Sequence, residues 1–407
     1  MARKDSKGRN LHTGESQRKD GTYMYRYTDE RTRKRQTVYA KDLPELRARE
    51  KQIARDADDG ILTDNRIKKL TVNDLFNTYM KTKSIAESSR RLYLVTWERH
   101  LKDSIGQTRV QQLQPSDVKA FYTQLSNEGY SHSTIRLIHM ILLPTLEMAL
   151  DDDIIRKNPA KKALSSNYGT AAKEKDVLTA AQQDALIKFM RESNVYNVYV
   201  PMITVMLETG VRCGELVGLT WNDVDMKKKE LSINHQLGYQ NFDDGKGCHF
   251  FVTAPKTDAG TRTIPLTQKA CKAFADQQEQ NILLNRHNIR EIDGYSDFIF
   301  LTRTGNVLTH NTINKAICNA VDAYNRKETV AAEKEHRKPE FLPKLSAHSF
   351  RHTACTNMAK RGVNIKTLQY IMGHADCSIT MDVYNHATGT DDAREEMQKM
   401  ENGVNLV

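Results

Sequence analysis

Four short stretches in the second half of the chain concentrate side chains able to handle a phosphodiester: TGVRCGELVGLTWNDVD at 209–225, APKTDAGTRTIPL at 254–266, LSAHSFRHT at 345–353 and MGHADCSITMDVYNH at 372–386. Each has an ordinary explanation by itself. Arg212 and Glu215 could be an exposed i,i+3 helix pair, and His348 and Arg351 share a helical face by the same spacing. His374 after Gly373 could satisfy the last carbonyls of a helix, Tyr384 could be a core or interface tyrosine, and Lys256 a solvated turn lysine. Together, the two arginines, two histidines, lysine and tyrosine supply cationic donors around a phosphate plus an oxygen nucleophile. That set is what phosphoryl transfer requires when no metal takes part.

These residues need a rigid frame, and the pattern of the chain predicts one. Residues 176–407 read as a mixed, mainly helical α+β domain that begins with a helix at 178–192. Its candidate strands are 230–234, 248–254, 262–265 and 298–301. Residues 70–164 read as an all-α bundle with helices at 71–83, 87–101, 115–127 and 133–150, punctuated by Pro115 in a first turn and by Gly129. Ahead of it, 1–65 reads as a small sheet plus helix. The tyrosines at 23, 25 and 27 alternate as in a half-buried strand, a second strand covers 36–40, and a helix covers 43–59. Polar stretches at 60–69 and after Lys162 read as linkers.

Charge points to a polyanionic partner. Lys and Arg outnumber Asp and Glu by 61 to 51, and the first 41 residues hold 12 basic and 5 acidic side chains, so 12 − 5 = +7 of the total +10 sits in a tenth of the chain. The basic loop with Arg31, Arg33, Lys34 and Arg35 beside a tyrosine-rich sheet suits a DNA groove, and Arg156 and Lys157 suit phosphates. Hydrophobic residues at 39% with a mean hydropathy of −0.65 leave enough apolar surface for packed cores and exclude wholesale disorder. The most apolar runs, 200–207 and 135–150, are too short or are interrupted by His139, Pro144 and Glu147, so no membrane span is expected. The N-terminus lacks a secretory apolar region, and the six cysteines form no CxxC pair. A soluble protein of a reducing cytoplasm is therefore expected, with cysteines as small core residues and no metal or other cofactor.

The order Arg, Lys, His-x-x-Arg, Gly-His and Tyr, with the flanking wording TG-x-R-x-x-E-L-x-x-L-x-W and Y-x-H, resembles the tyrosine recombinases, site-specific integrases related to that of phage lambda. The resemblance runs over nearly the whole chain. It implies a helical core-site-binding domain at 70–164, and it makes the basic head at 1–65 similar to the arm-binding domain of integrases from conjugative transposons. It further implies that Arg212 and Arg351 hold the non-bridging oxygens of the scissile phosphate, that His348 and His374 complete the cradle, and that Glu215 orients Arg212. Lys256, in a hairpin turn, would be the general acid for the 5′-hydroxyl. Tyr384 would attack to form a 3′-phosphotyrosine, with His348 as candidate base because a tyrosine of ordinary pKa is a poor nucleophile. The ten steps from His374 to Tyr384 are one more than is usual in the family, the extra residue falling in the polar 375–378 turn. The remaining nearby tyrosine, Tyr370, precedes Gly373 within a helix pattern.

Double-stranded DNA, at core and arm sites of a mobile element, is the implied partner. A dimer or tetramer on DNA is implied too, with the polar 389–400 segment docking on a neighbouring subunit, and room is left for an accessory excision protein. Two rival readings differ in class. A non-catalytic DNA-binding regulator would show substitutions within the Arg212, His348, Arg351 and Tyr384 set. A metal-dependent transposase or nuclease would use clustered carboxylates, for which 151–153 and 391–392 are the candidates.

Overall fold

A computed structural model describes residues 3–28, 33–58, 65–171, 177–242, 245, 247–255, 257–378, 380 and 381. Arg31, Lys256, Tyr384 and the 389–400 segment, all singled out above, lie outside the described residues. The chain divides into two compact units, Met1–Lys173 and Glu174–Val407.

In the first unit the alternating tyrosines form the strand Tyr23–Thr28, the centre of an antiparallel three-stranded sheet with Glu15–Gln17 and Arg35–Ala40 on its flanks. Glu15–Gln17 is too short and polar to betray itself by alternation. Tyr23 turns inward and packs with Ala40 against Leu43 and Leu46 of the helix Leu43–Asp58. Tyr25 and Tyr27 stack on each other with centroids 5.6 Å apart.

A separate core in the same unit is built by the helices Val72–Thr82, Glu87–Thr96, Pro115–Asn127 and His132–Asp151. Thr71 caps the first through a reciprocal bond with Asp74, and Pro115 occupies the first turn of the third. Phe76 lies flat on Trp97, with ring centroids 3.8 Å apart.

The helix His132–Asp151 corrects one expectation, because by length and composition it is long and apolar enough to cross a membrane. Pro144 lies inside it rather than ending it. Ile135, Ile138, Ile141, Leu142 and Leu146 are fully buried in the bundle, which accounts for their hydropathy as core packing. The two expected linkers also differ. Asn65–Lys68 is a short helix. Residues 165–171 are fastened to the bundle: Gly169 N–H donates to Ser126 Oγ at 2.9 Å, and Thr170 exchanges backbone bonds with Tyr130 and His132. Composition suggested a flexible stretch, but Tyr168 anchors it against Tyr122.

The second unit wraps a large apolar core in the helices Ala180–Glu192, Val200–Thr209, Gln268–Leu283, His310–Lys334 and Ala347–Lys360. One small antiparallel sheet joins Val224–Asp225, Glu230–Ile233 and Arg262–Pro265. A second is the hairpin of Gln236–Asn241 with Cys248–Thr253. The first of those hairpin strands was not expected. At its Gly238 the two strands pack closely, since a Cβ would meet the Phe251 ring at 2.3 Å. The strands Cys248–Thr253 and Arg262–Pro265, which flank the position of Lys256, belong to different sheets and do not pair with each other.

Residues 298–301 form no strand. Phe298, Ile299, Phe300 and Leu301 are buried, but single bridges from Phe298 to Thr220 and from Leu301 to Val307 hold them as a bend. An unbroken apolar run specifies burial without specifying a ladder. The cysteines also depart from expectation: Cys355 is buried, whereas Cys248 and Cys318 are exposed.

Candidate active site

The short helix Ile365–Met372 ends at Gly373, which adopts φ +61°, the left-handed conformation that closes a helix. Such an end leaves carbonyls without intrahelical partners and carries a partial negative charge. Three arginines answer it. Arg262 Nε donates to Ile371 O at 2.7 Å, Arg351 Nη2 donates to Met372 O, and Arg212 Nη2 donates to Gly373 O at 2.6 Å. Each comes from a different element. Arg262 sits in the strand Arg262–Pro265 and Arg351 on the helix Ala347–Lys360, while Arg212 stands just before the helix Cys213–Gly218.

Arg351 is fixed further by a 2.7 Å bond from Nη1 to Gly210 O. Gly210, at φ +65°, ends the helix Val200–Thr209, and a Cβ there would meet Met372 Sδ at 2.7 Å. The sharp turn 210–212 thus delivers both a carbonyl to Arg351 and the side chain of Arg212.

Glu215 lies beneath this group, 2% exposed. It accepts from Arg212 N and Nη1, both at 2.8 Å, and from Arg262 Nη1 and Nη2 at 3.1 and 2.8 Å. Burial alone would raise its pKa, but the bonds and charge of Arg262, then of Arg212, outweigh it and hold the carboxyl at about 2. The Arg212–Glu215 pair is therefore no surface helix pair. Arg351 is pushed down to about 9, first by burial and then by the charge of Arg212. Three guanidinium charges against one carboxylate leave a cationic excess beside solvent, with the Arg212 side chain 38% exposed. An anion would relieve it.

His374 follows directly. Its Nδ1 lies 2.9 Å from Thr380 Oγ1, and Gln369 Nε2 donates to its carbonyl at 3.0 Å. Burial, then the charges of Arg351 and Arg212, push its pKa down to about 4, so the imidazole is neutral at pH 7. His348 stands one turn before Arg351, exposed, its ring edge-on to His352 with centroids 4.4 Å apart. Tyr370 is on the helix Ile365–Met372, where its hydroxyl accepts from Thr263 N–H at 3.1 Å.

The structure thus gathers Arg212, Glu215, Arg351 and His374. Arg33, Lys34, Arg35, Arg156 and Lys157 are exposed and belong to the first unit. Arg262 was overlooked although its signal is present: strand period places it on the same inward face as Ile264, and a charge on a core face demands a carboxylate partner. A cavity of 720 Å³ in the second unit has none of the gathered residues in its lining, and it is the Arg212 side chain, 38% exposed, that brings the cationic group to solvent. Among the described residues one group could hold a cation, His12, Glu15 and Glu50 with donor atoms within 4.8 Å. Arg47 already occupies Glu15 at 3.0 and 3.3 Å, which opposes a metal there.

Comparison with known proteins agrees with this arrangement. Residues 176–390 match the phage integrase family and residues 1–57 match the DNA-binding domain of Tn916 integrase. The transposase of transposon Tn916 from Enterococcus faecalis and that of Tn1545 from Streptococcus pneumoniae are each 34% identical over 417 aligned positions, covering 98% of this chain and 96% of theirs. The structure of the Tn1549 transposon integrase in complex with a circular intermediate DNA superposes with a TM-score of 0.69 at 29% identity, over 81% of this chain and 99% of that one. The chain belongs to the phage integrase family: it is a tyrosine recombinase of the conjugative-transposon type, a site-specific recombinase of a mobile element that breaks and rejoins DNA.

Proposed function

We propose that Arg212 and Arg351 bind the non-bridging oxygens of a scissile phosphate in double-stranded DNA, with His348 and His374 completing the cradle. The observation that carries this reading is the convergence of the two arginines on the adjoining carbonyls of Gly373 and Met372, immediately before His374. Both guanidiniums are held by those bonds and keep N–H donors beyond them, which is preorganisation for a charge that develops during reaction. Tyr384, passing its phenol proton to His348 as base, attacks phosphorus, expels the 5′-oxygen and forms a 3′-phosphotyrosine. Lys256 supplies the proton to that leaving oxygen. A 5′-hydroxyl from another duplex then reverses the step, so the phosphodiester energy is retained and no nucleotide is consumed.

The basic head, with Arg31, Arg33, Lys34 and Arg35, reads arm sites near the element ends, while residues 70–164, with Arg156 and Lys157, and the catalytic domain at 176–407 hold the core site. Two DNA-binding regions on one chain let a subunit bridge separate sites, which suits a dimer or tetramer on DNA, with or without an accessory excision protein. Such work belongs in the cytoplasm of a bacterial cell. Recombination between element-end substrates in excess chelator and without ATP tests the reading. Recombination that stops with chelator and returns with magnesium would contradict it.

A further inference from the structure

Arg262 has no solvent exposure along its side chain. A guanidinium is kept so deep only where its donors are used. Nε bonds Ile371 O at 2.7 Å, Nη1 bonds Gly260 O at 2.9 Å and Glu215 Oε1 at 3.1 Å, and Nη2 bonds Glu215 Oε2 at 2.8 Å. Those bonds tie together the approach to its own strand, the helix Cys213–Gly218 and the end of the helix Ile365–Met372. Arg212 is located on one side by Glu215 and on the other by Gly373 O. Arg262 bonds Glu215 directly and holds the carbonyl of Ile371, two residues before Gly373. The packing leaves no slack, since a Cβ on Gly373 would lie 2.9 Å from Arg262 Nη1.

We propose that Arg262 is a positioning residue for strand cleavage: it keeps Glu215 and the 371–373 carbonyls in register, so that Arg212 presents its remaining N–H groups to the scissile phosphate. This rests on Arg212 as a phosphate ligand, as proposed above. Lysine replaces the charge of Arg262 but not the planar fork, and one ammonium cannot serve Ile371 O, Gly260 O and both Glu215 oxygens at once.

The test uses the full chain as wild type, Arg262→Lys, Arg262→Gln and Arg212→Lys. Single-turnover adduct formation is measured on DNA with an ordinary scissile phosphate and on DNA whose scissile group is a methylphosphonate. The methylphosphonate carries no negative charge, so a weakened arginine contact costs less there. The ratio of the two rates is a property of folded molecules, and partial unfolding does not change it. Arg262→Lys is expected to lose about 100-fold on the ordinary phosphate, the scale of a misplacement near 1 Å. In both Arg262 variants the ratio of methylphosphonate to phosphate rate should rise, as it does in Arg212→Lys. A slowed Arg262 variant with the wild-type ratio would overturn the proposal and leave Arg262 a folding residue. A ratio unchanged in Arg212→Lys itself would instead overturn the phosphate-ligand assignment, and the Arg262 role with it.

Discussion

Arg212 Nη2 donates to the carbonyl oxygen of Gly373 at 2.6 Å, a bond that spans 161 residues of sequence. It fixes the guanidinium proposed to bind phosphate against the backbone that carries His374, so the two move as one piece. The glycine is required twice over, by φ +61° and by the 2.9 Å approach that a Cβ would make to Arg262 Nη1. Gly373→Ala is therefore expected to destabilise the fold by about 1–3 kcal/mol and to slow cleavage as well. Gly362→Ala is the control: φ is +78°, but a Cβ there meets nothing within 4 Å, so it carries the strain without the displacement. Thermal unfolding and single-turnover cleavage of both variants check this, with cleavage per folded molecule lost only in Gly373→Ala.

His374 gives a pH prediction. Its pKa falls from the ordinary 6.5 to about 4, by burial and then by the Arg351 and Arg212 charges. Between those values the unfolded chain binds more protons than the folded one, so stability falls as pH drops through this window. His374→Asn removes the contribution, and the variant should lose less stability than wild type between pH 6.5 and 4. Amide exchange in the helix Ile365–Met372 of the full chain reads it.

Lys256, as proposed acid, serves only the leaving 5′-oxygen, a step worth typically 10² to 10⁴ in rate. A 5′-bridging sulfur leaves as a stable thiolate and needs no proton. Lys256→Ala should therefore cleave the sulfur substrate at close to the wild-type rate while failing on ordinary DNA. Arg212→Ala should gain far less, because the non-bridging oxygens are unchanged. If sulfur does not rescue Lys256→Ala, the acid lies elsewhere.

In the basic head, Arg33 and Arg35 are exposed at the start of the strand Arg35–Ala40. If each neutralises one phosphate of arm-type DNA, replacing both by alanine flattens the slope of log affinity against log salt by up to about two. Titration of the full chain at several salt concentrations, on DNA lacking the crossover core, gives the slope. An unchanged slope removes these two residues from the interface.

Much of this architecture is legible in the chain because local signals agree with one another. Helices are expected to start at 71, 115 and 178, and the structure begins them at Val72, Pro115 and Ala180. Arg212, Arg351 and His374 stand out by spacing and converge in space. What failed depends on long-range context. Residues 298–301 are apolar enough for a strand but find no partner along their length, and 165–171 are polar enough for a linker but are pinned by Ser126 and Tyr130. Arg262 stands on an inward strand position like Ile264, but the partners that explain a charge there, Glu215 and Ile371, are distant in sequence.

Tyr384 is proposed to form a covalent bond with a DNA 3′-phosphate. The direct measurement traps the full-length protein on a nicked element-end substrate in chelator, digests the adduct and locates the DNA-bearing peptide by mass, for wild type and Tyr384→Phe. Wild type is expected to carry the adduct on the peptide containing Tyr384, and Tyr384→Phe to retain DNA binding with no adduct. An adduct that persists in Tyr384→Phe, or maps to another residue such as Tyr370, would contradict it.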